Sequence, residues 1–445
     1  MREQSGGSLA EDAVPDAGAE AARICGDLIR FDTTNRGEGD ARGERPAAEY
    51  VAALLDDAGA AATIVESAPG RASVLARIPG TDPAHPAFLV HGHLDVVPAD
   101  PSEWSVPPFS GEVRDGCVWG RGAVDMKGSL AMTLATVRRR LREGRRTRGD
   151  LVLAFLADEE CTGDLGSRYV AREHREFFTG CTEAISESGG FSVAAGGRRI
   201  YPIATGERGT AWMRLTARGT AGHGSKPAPD NAVAEIAHAV SRLAAYAWPV
   251  RLTPGVRALL DGLADALGTS IDLDRLDAEA VRLGGVGRLF AGTVRNSANP
   301  TRLDAGYKIN VVPGTASAQV DGRFLPGTGE EFLATVDRLL GPKVTREFVN
   351  FEEAPAADPA GATFAALAAA IRAEDPAAHP VPYVMSGGTD AKSFHRIGIT
   401  SFGFAPLLLG PDLDYFGMFH GVDERVPLEG LAFGTRALDR FLDTR

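Results

Sequence analysis

Four cysteines in 445 residues, Cys25, Cys117, Cys161 and Cys181, show no CxxC spacing and are too few to staple a chain of this length. A disulfide framework is excluded, and a reducing, cytoplasmic setting is the expectation. No run reaches the ~18 consecutive apolar residues that a membrane helix needs. The first twenty or so residues are polar, acidic and rich in Ala and Gly, without the apolar h-region of a secretory signal, so a frayed leader is expected there. Cations are also in deficit: 47 Lys and Arg against 59 Asp and Glu leave a formal charge of -12. Phosphate binding needs clustered Lys and Arg, so this balance argues against nucleic acid or an anionic membrane as partner. The one strongly basic stretch, Arg138 to Arg148, falls where a helix should end, and is expected to be a solvated set of cations complementing the helix dipole. No internal repeat and no long low-complexity tract is present.

The chain is too long for a single growing core, so two or three units are expected, and a composition 44% hydrophobic and 24% charged supplies ample apolar surface for them. Helical spacing of apolar residues runs from Glu20 to Arg30, Glu44 to Ala58 and Lys127 to Leu141. Ser73–Ile78 and Phe88–Val90 read as strands, and Asp150–Ala157, apolar at consecutive positions, reads as a strand covered on both faces. This is an α/β pattern. After the short strand Ala184–Ser186 the character changes: Thr210–Ala217 alternates like a half-buried strand, followed by a helix Asn231–Tyr246, an irregular segment Pro249–Pro300, strands Tyr307–Val312 and Ala316–Phe324, and a helix Glu330–Leu340. From about Asp358 the α/β character returns, with a helix Phe364–Glu374 and a strand Thr400–Ala405. The expected organisation is a discontinuous α/β domain, residues 1–206 and 356–445, carrying an inserted α+β unit at 207–355.

Candidate chemistry gathers at strand ends, where α/β sites lie. In LVHGHLDVVP an apolar strand closes on His91, Gly92, His93, Leu94 and Asp95. In extended backbone His93 and Asp95 share a side, so a carboxylate can bond one imidazole nitrogen while the other faces a metal. Asp125 lies in WGRGAVDMKGS, a Gly-flanked turn before a helix. In LAFLADEECTG, Asp158, Glu159 and Glu160 follow a buried strand and repel one another unless a cation or protons neutralise them. Glu187 in ISESGG and His420 in GMFHGVDE complete a set of imidazoles and carboxylates suited to a borderline divalent metal such as Zn²⁺. Each has a plain structural reading alone, as a core histidine, a turn aspartate or a solvated loop acid.

With HGHLDVVP, WGRGAVDMKG, ADEE, SES, GTAGHGSKP and FHGVDE in order from about Arg23 to the end, the sequence resembles the co-catalytic zinc peptidases that include aminoacylases, acetylornithine deacetylase, succinyl-diaminopimelate desuccinylase and glutamate carboxypeptidases. The resemblance implies a hydrolase of the amide bond in short peptides or N-acyl amino acids, with two divalent ions, Zn²⁺ foremost and Co²⁺ or Mn²⁺ as alternatives. It makes Asp125 the bridging ligand, with His93 and Glu187 on one ion and Glu160 and His420 on the other. Asp95 becomes the partner of His93, and Glu159 the general base acting on a metal-bound water. His223 in GTAGHGSKP resembles a lid histidine that supports the oxyanion. Arg323 in VDGRFLPG resembles an arginine that grips a substrate carboxylate, with Asn310 in YKINVVPG beside it; Gly388 and Thr389 in SGGTDAK match a loop lining the site. The inserted unit is the resembling family's lid and its homodimer surface. His91 offers a second imidazole on the same side as His93, and the HxD position selects His93. Two other readings stay open: a catalytically inactive binding module on the same fold, and a mononuclear metal enzyme of another reaction type.

Overall fold

The computed structural model describes residues 16–37 and 39–445. The polar leader up to residue 15 lies outside the described residues. Packing divides the chain into two compact units, Met1–Cys181 with Pro406–Arg445, and Thr182–Ala405. The first unit is therefore discontinuous in sequence.

In the first unit Asp16 caps the helix Ala17–Arg30, its carboxylate accepting the Ala19 N–H, and Ala21, Ile24, Cys25, Leu28 and Ile29 form its buried stripe. The strands of its main sheet are β1 (Ala62–Ala68), β2 (Arg71–Ile78), β3 (Ala87–His93) and β6 (Leu151–Leu156), in the order β1-β2-β6-β3. β6 is buried at every residue and β3 runs parallel to it, as a strand covered on both faces should. A small sheet joins β4 (Glu112–Arg114) and β5 (Cys117–Trp119) to β18 (Arg425–Pro427), which brings the C-terminal segment beside the loop that follows β5.

The basic stretch departs from expectation. Arg138 and Arg140, on the helix Lys127–Arg142, are 3% and 4% exposed rather than solvated. Arg138 Nε donates to Glu20 at 2.8 Å, Arg140 Nη1 to Asp439 at 2.6 Å, and Arg145 to Asp439 and Asp443 at 2.9 and 2.7 Å. These pairs clamp the helix between Ala17–Arg30 and Leu428–Leu442. Their partners lie more than a hundred residues away along the chain, so local spacing does not disclose them.

The second unit contains β7 (Cys181–Ser186), β8 (Val193–Ala195), β9 (Arg198–Glu207), β16 (Ala378–Met385) and β17 (Thr400–Gly403), in the order β7-β17-β9-β16 with β8 on β9. It also holds a four-stranded antiparallel sheet of β10 (Gly209–Arg218), β12 (Ser297–Ala305), β14 (Thr315–Phe324) and β15 (Val344–Glu352), in the order β12-β14-β10-β15. A core of its own, including Met213, Leu215, Ile236, Leu243, Val320, Phe332 and Val336, binds this sheet to the helices Ala232–Ala245 and Gly329–Leu340. β11 (Gly222–His223) and β13 (Val311–Val312) pair as a short ribbon.

The segment 249–300 is not irregular. It forms the helices Pro254–Leu267, Leu276–Arg282 and Arg288–Ala291 and then β12. Pro at the first turn and a left-handed Gly268 bound the first helix, and Val256, Leu259, Leu260, Leu263 and Ala266 make its buried stripe. Its Gly255 and Gly262 approach Val384 and Val381 so closely that an added Cβ would stand 2.9 and 3.0 Å from those side chains. The helix thus lies on β16. Tyr307–Asn310, read as strand, is turn and bend; the extended residues lie earlier, in β12. Among the described residues no helix is long and apolar enough to cross a membrane.

Candidate metal centre

Parallel pairing sets His93 opposite Leu156, so β3 and β6 end at one edge and release HLD and ADEE side by side. Between the two histidines Gly92 packs against Met126: an added Cβ would stand 2.4 Å from its Cε and displace that side chain. Asp95 is fully buried. Its carboxylate accepts Asn35 Nδ2 at 2.9 Å and the backbone N–H groups of Glu159 and Glu160 at 3.1 and 3.2 Å. It therefore fixes the loop that carries both glutamates. The His93 Nδ1 bond goes to the Asp95 backbone carbonyl at 2.9 Å, with the carboxylate at 3.6 Å, so the triplet orients the imidazole through the main chain.

Asp158 belongs to the framework. Arg71 Nη2 reaches it at 2.9 Å while also binding Glu44, and Asn35 Nδ2 lies at 3.1 Å. Repulsion among the three adjacent acids is thus relieved in part by a buried guanidinium.

Asp125 comes from the loop after β5, and that loop is held by a residue sequence reasoning passed over. Glu424 is fully buried; its Oε1 accepts the N–H groups of Val124 and Asp125 at 2.7 and 2.8 Å, and its Oε2 accepts Gly122 N–H at 2.8 Å and Arg121 Nη1 at 2.9 Å. The signal was present as the last acid of FHGVDE, four residues beyond His420.

The two oxygens of Asp125 face different imidazoles. Oδ1 is 3.1 Å from His93 Nε2, and Oδ2 is 3.2 Å from His420 Nε2, which also lies 3.2 Å from Glu160 Oε2. Glu159 Oε2 stands 3.9 Å from His93 Nε2. Two ligands at about 2.1 Å from one tetrahedral ion are about 3.4 Å apart, so these separations match a donor set that shares metal ions. His93, Asp125 and Glu160 each bring one donor atom to within 4.8 Å of the others.

Electrostatics agree. Burial works against the Asp125 charge, yet hydrogen bonds from His420 and His93 hold its carboxyl well below the usual carboxylate range. Burial and the Asp125 charge push Glu160 up. Asp125 and Glu160 together raise the His420 imidazolium to about 10. The carboxylate cluster thus favours positive charge at this place, which a divalent cation would supply. His91, by contrast, is driven by burial down to about 3 and is a neutral core residue.

The other sequence-predicted residues lie in the second unit. Glu187 is buried directly after β7. Thr389 donates through N and Oγ1 to the buried Glu207 at 3.0 and 2.5 Å, and Gly388 leaves room for Lys392, whose Nζ an added Cβ would meet at 2.2 Å. His223, exposed on the β11–β13 ribbon, accepts the Ser225 N–H at Nδ1 (3.2 Å), so Nε2 carries the proton. Asn310 sits beside it, its carbonyl accepting the Gly224 N–H at 2.9 Å. Arg323 is engaged with Asp321 through Nε and Nη2 at 2.7 and 3.2 Å and with Thr210 Oγ1 at 3.1 Å.

Imidazoles and carboxylates gathered round Asp125 suit a divalent metal ion. Residues 89–444 match the model of peptidase family M20/M25/M40, and the chain belongs to that family, whose members cleave amide bonds. It is 30% identical over 387 residues to aminoacylase-1 of Pongo abelii, covering 84% of each chain. It is 27% identical over 402 residues to the N-fatty-acyl-amino acid synthase/hydrolase PM20D1 of Xenopus tropicalis, covering 86% of this chain and 77% of the relative. Its fold is that of the M20 metallo-carboxypeptidase Sso-CP2 from Sulfolobus solfataricus, with TM-score 0.69 at 18% identity over 96% of this chain and 99% of that one. A dinuclear metal-binding M20 peptidase of Bacillus subtilis also superposes, with TM-score 0.60 at 13% identity over 96% and 98% of the two chains.

Proposed function

We propose that the chain hydrolyses the amide bond of a short peptide or N-acyl amino acid with a water activated by two divalent ions, Zn²⁺ before Co²⁺ or Mn²⁺. The observation that carries the two-ion reading is Asp125, whose oxygens face His93 and His420 separately. Glu160 stands with His420, and motif order gives Glu187 to the ion of His93. Bound there, the ions would lower the pKa of the water and polarise the scissile carbonyl. Glu159, its loop fixed by Asp95 but its carboxylate 3.9 Å from the nearest ligand nitrogen, is the base that takes the water's proton and returns it to the leaving amine. His223 has the right tautomer to donate Nε2–H to an oxyanion, and Asn310 lies beside it. Gly388, Thr389 and an arginine on the second unit, Arg323 by motif, would receive the rest of the substrate.

A sheet with a hydrophobic core of its own supports reading 207–355 as the lid between catalytic segments 1–206 and 356–445. β12 is an edge strand of that sheet with Leu303 54% exposed, which favours a homodimer through this edge. Cys25, Cys117 and Cys181 are free thiols, which suits the cytoplasm.

Elemental analysis of the purified chain, with hydrolysis of dipeptides and N-acetyl amino acids measured with and without chelator, tests the proposal. About two ions per chain and chelator-sensitive release of amine are expected, and Asp125→Asn should lower the metal content below one. One ion per chain in the wild type would refute the two-ion reading; no hydrolysis after Zn²⁺ or Co²⁺ is added would favour a binding module.

A further inference from the structure

Asn35 is 3% exposed, and its main chain is fastened to the end of β3: its N–H donates to the Val96 carbonyl at 2.9 Å, and the nearby Thr33 Oγ1 donates to the Leu94 carbonyl at 2.7 Å. The orientation of its side chain is also determined. Oδ1 accepts the Gly37 N–H at 3.0 Å, which turns Nδ2 inward, and Nδ2 donates to Asp95 Oδ2 at 2.9 Å and to Asp158 Oδ1 at 3.1 Å. A flipped amide would set its carbonyl oxygen against two buried carboxylates. Arg71 gives its bonds to Glu44 and Asp158, so a neutral amide, not a cation, joins Asp95 to Asp158.

The two acids hold the ADEE loop at different points. Asp95 takes the N–H groups of Glu159 and Glu160 in its middle. Asp158 opens the loop with φ 66°, a left-handed conformation uncommon outside glycine, and accepts the Leu165 N–H at Oδ2 (3.0 Å) and the Gly163 N–H at its carbonyl (2.8 Å). Joined through one nitrogen, these carboxylates tie the middle of the loop to its two ends. Glu160 depends on that tie: its Oε1 is buried without a hydrogen-bond partner while its Oε2 faces His420 at 3.2 Å, so its main chain has to place it. An orphaned carboxylate oxygen fits a ligand that a cation completes. We infer that Asn35 is a positioning residue for hydrolysis, setting through Asp95 and Asp158 the place of Glu160 as ligand and of Glu159 as base, an assignment that rests on the proposed function.

Two measurements on the purified chain read the two roles: Zn²⁺ affinity by competition against a calibrated chelator, and the kinetics of the zinc-saturated chain on dipeptides and N-acetyl amino acids. Asn35→Ala should weaken Zn²⁺ binding by roughly ten-fold or more. Once saturated, it should lose roughly ten-fold or more in kcat with KM little changed, because the groups it aims act on the metal and the water rather than on substrate binding. Arg138→Ala, which breaks the clamp between helices instead, should lower the thermal midpoint and keep wild-type Zn²⁺ affinity and kcat. Wild-type affinity or wild-type kcat in Asn35→Ala overturns the assignment, and so does an Arg138→Ala chain that loses both to the same extent. If Asn35→Ala does not fold, Asn35→Ser retains one donor hydrogen for two carboxylates, and each loss should be roughly three-fold or more; wild-type values again overturn the assignment. Weaker Zn²⁺ binding by Asn35→Ala, with a wild type that hydrolyses none of the panel, would refute the hydrolase reading and leave Asn35 positioning a metal ligand.

Discussion

Replacing Glu424 by Gln changes one atom and should disturb both stability and metal affinity, although Glu424 is no ligand. Each oxygen of Glu424 accepts two donors: Val124 and Asp125 N–H on one, Gly122 N–H and the Arg121 guanidinium on the other. Whichever way the amide turns, its NH₂ faces two N–H donors, so two bonds are lost and four donors crowd together. Hydrogen bonds to a charged group contribute about 1.5–3 kcal/mol each, which places the loss at about 3–6 kcal/mol. The alternative estimate, for breaking a buried ion pair by removing one partner, is about 3–5 kcal/mol. The two agree because both count the same uncompensated donors. The Asp125 N–H is among them, so the Asp125 carboxylate, proposed as the bridging ligand, loses its aim, and groups that orient ligands typically change metal affinity by roughly 10–100-fold. Urea unfolding of the metal-free chain reads the first effect, and competition against a calibrated chelator reads the second. A variant with wild-type midpoint and wild-type affinity would refute the argument that the C-terminal carboxylate builds the Asp125 loop.

Three further outcomes are expected. Glu159→Gln should lower kcat by roughly 10²–10⁴ while the metal content is retained, because the proposed function makes Glu159 the base and not a ligand; equal turnover would remove Glu159 from that role. The metal-free chain should lose stability as pH rises from about 6.5, the ordinary histidine value, through about 10, because His420 is raised by Asp125 and Glu160, and its contribution is complete only below the unfolded pKa. That slope should vanish in the metal-loaded chain, as a pH series of thermal unfolding with and without chelator would show. Arg138→Ala should destabilise by about 1.5–3 kcal/mol, the loss of one charge-assisted bond to the buried Glu20, which keeps Arg142 at 3.1 Å; a thermal midpoint like that of the wild type would return Arg138 to the solvated class.

What the sequence discloses here is local. His93, Asp125, Glu160 and His420 were legible because strand ends and Gly-flanked turns announce themselves within ten residues, and the structure brings these four together. The α/β class followed from helical spacings alternating with strands, among them LVLAFLA, whose continuous apolar run suits a strand covered on both faces rather than an edge strand. The roles of Arg138, Asp158 and Glu424 were not legible, because each depends on a partner brought near by folding: Glu20, Arg71 and the loop 121–125. β12 was hidden for another reason. It is a polar edge strand interrupted by Pro300, with most of its residues facing solvent, so neither alternation nor an apolar run marks it. The helix Pro254–Leu267 carried every signal of a helix, Pro at its start, Gly at its end and an i, i+3, i+4, i+7 stripe between, and was readable in principle.

The first unit draws its candidate site from two stretches far apart in sequence: His93, Asp125 and Glu160 are made well before His420 and Glu424. During synthesis at ~5–20 residues per second, the interval between Glu160 and Glu424 is on the order of tens of seconds. Throughout that time the Asp125 loop has no carboxylate to close on and the second imidazole does not exist. A chain synthesised only as far as Glu160 therefore lacks both the carboxylate that fixes the Asp125 loop and one imidazole of the candidate centre.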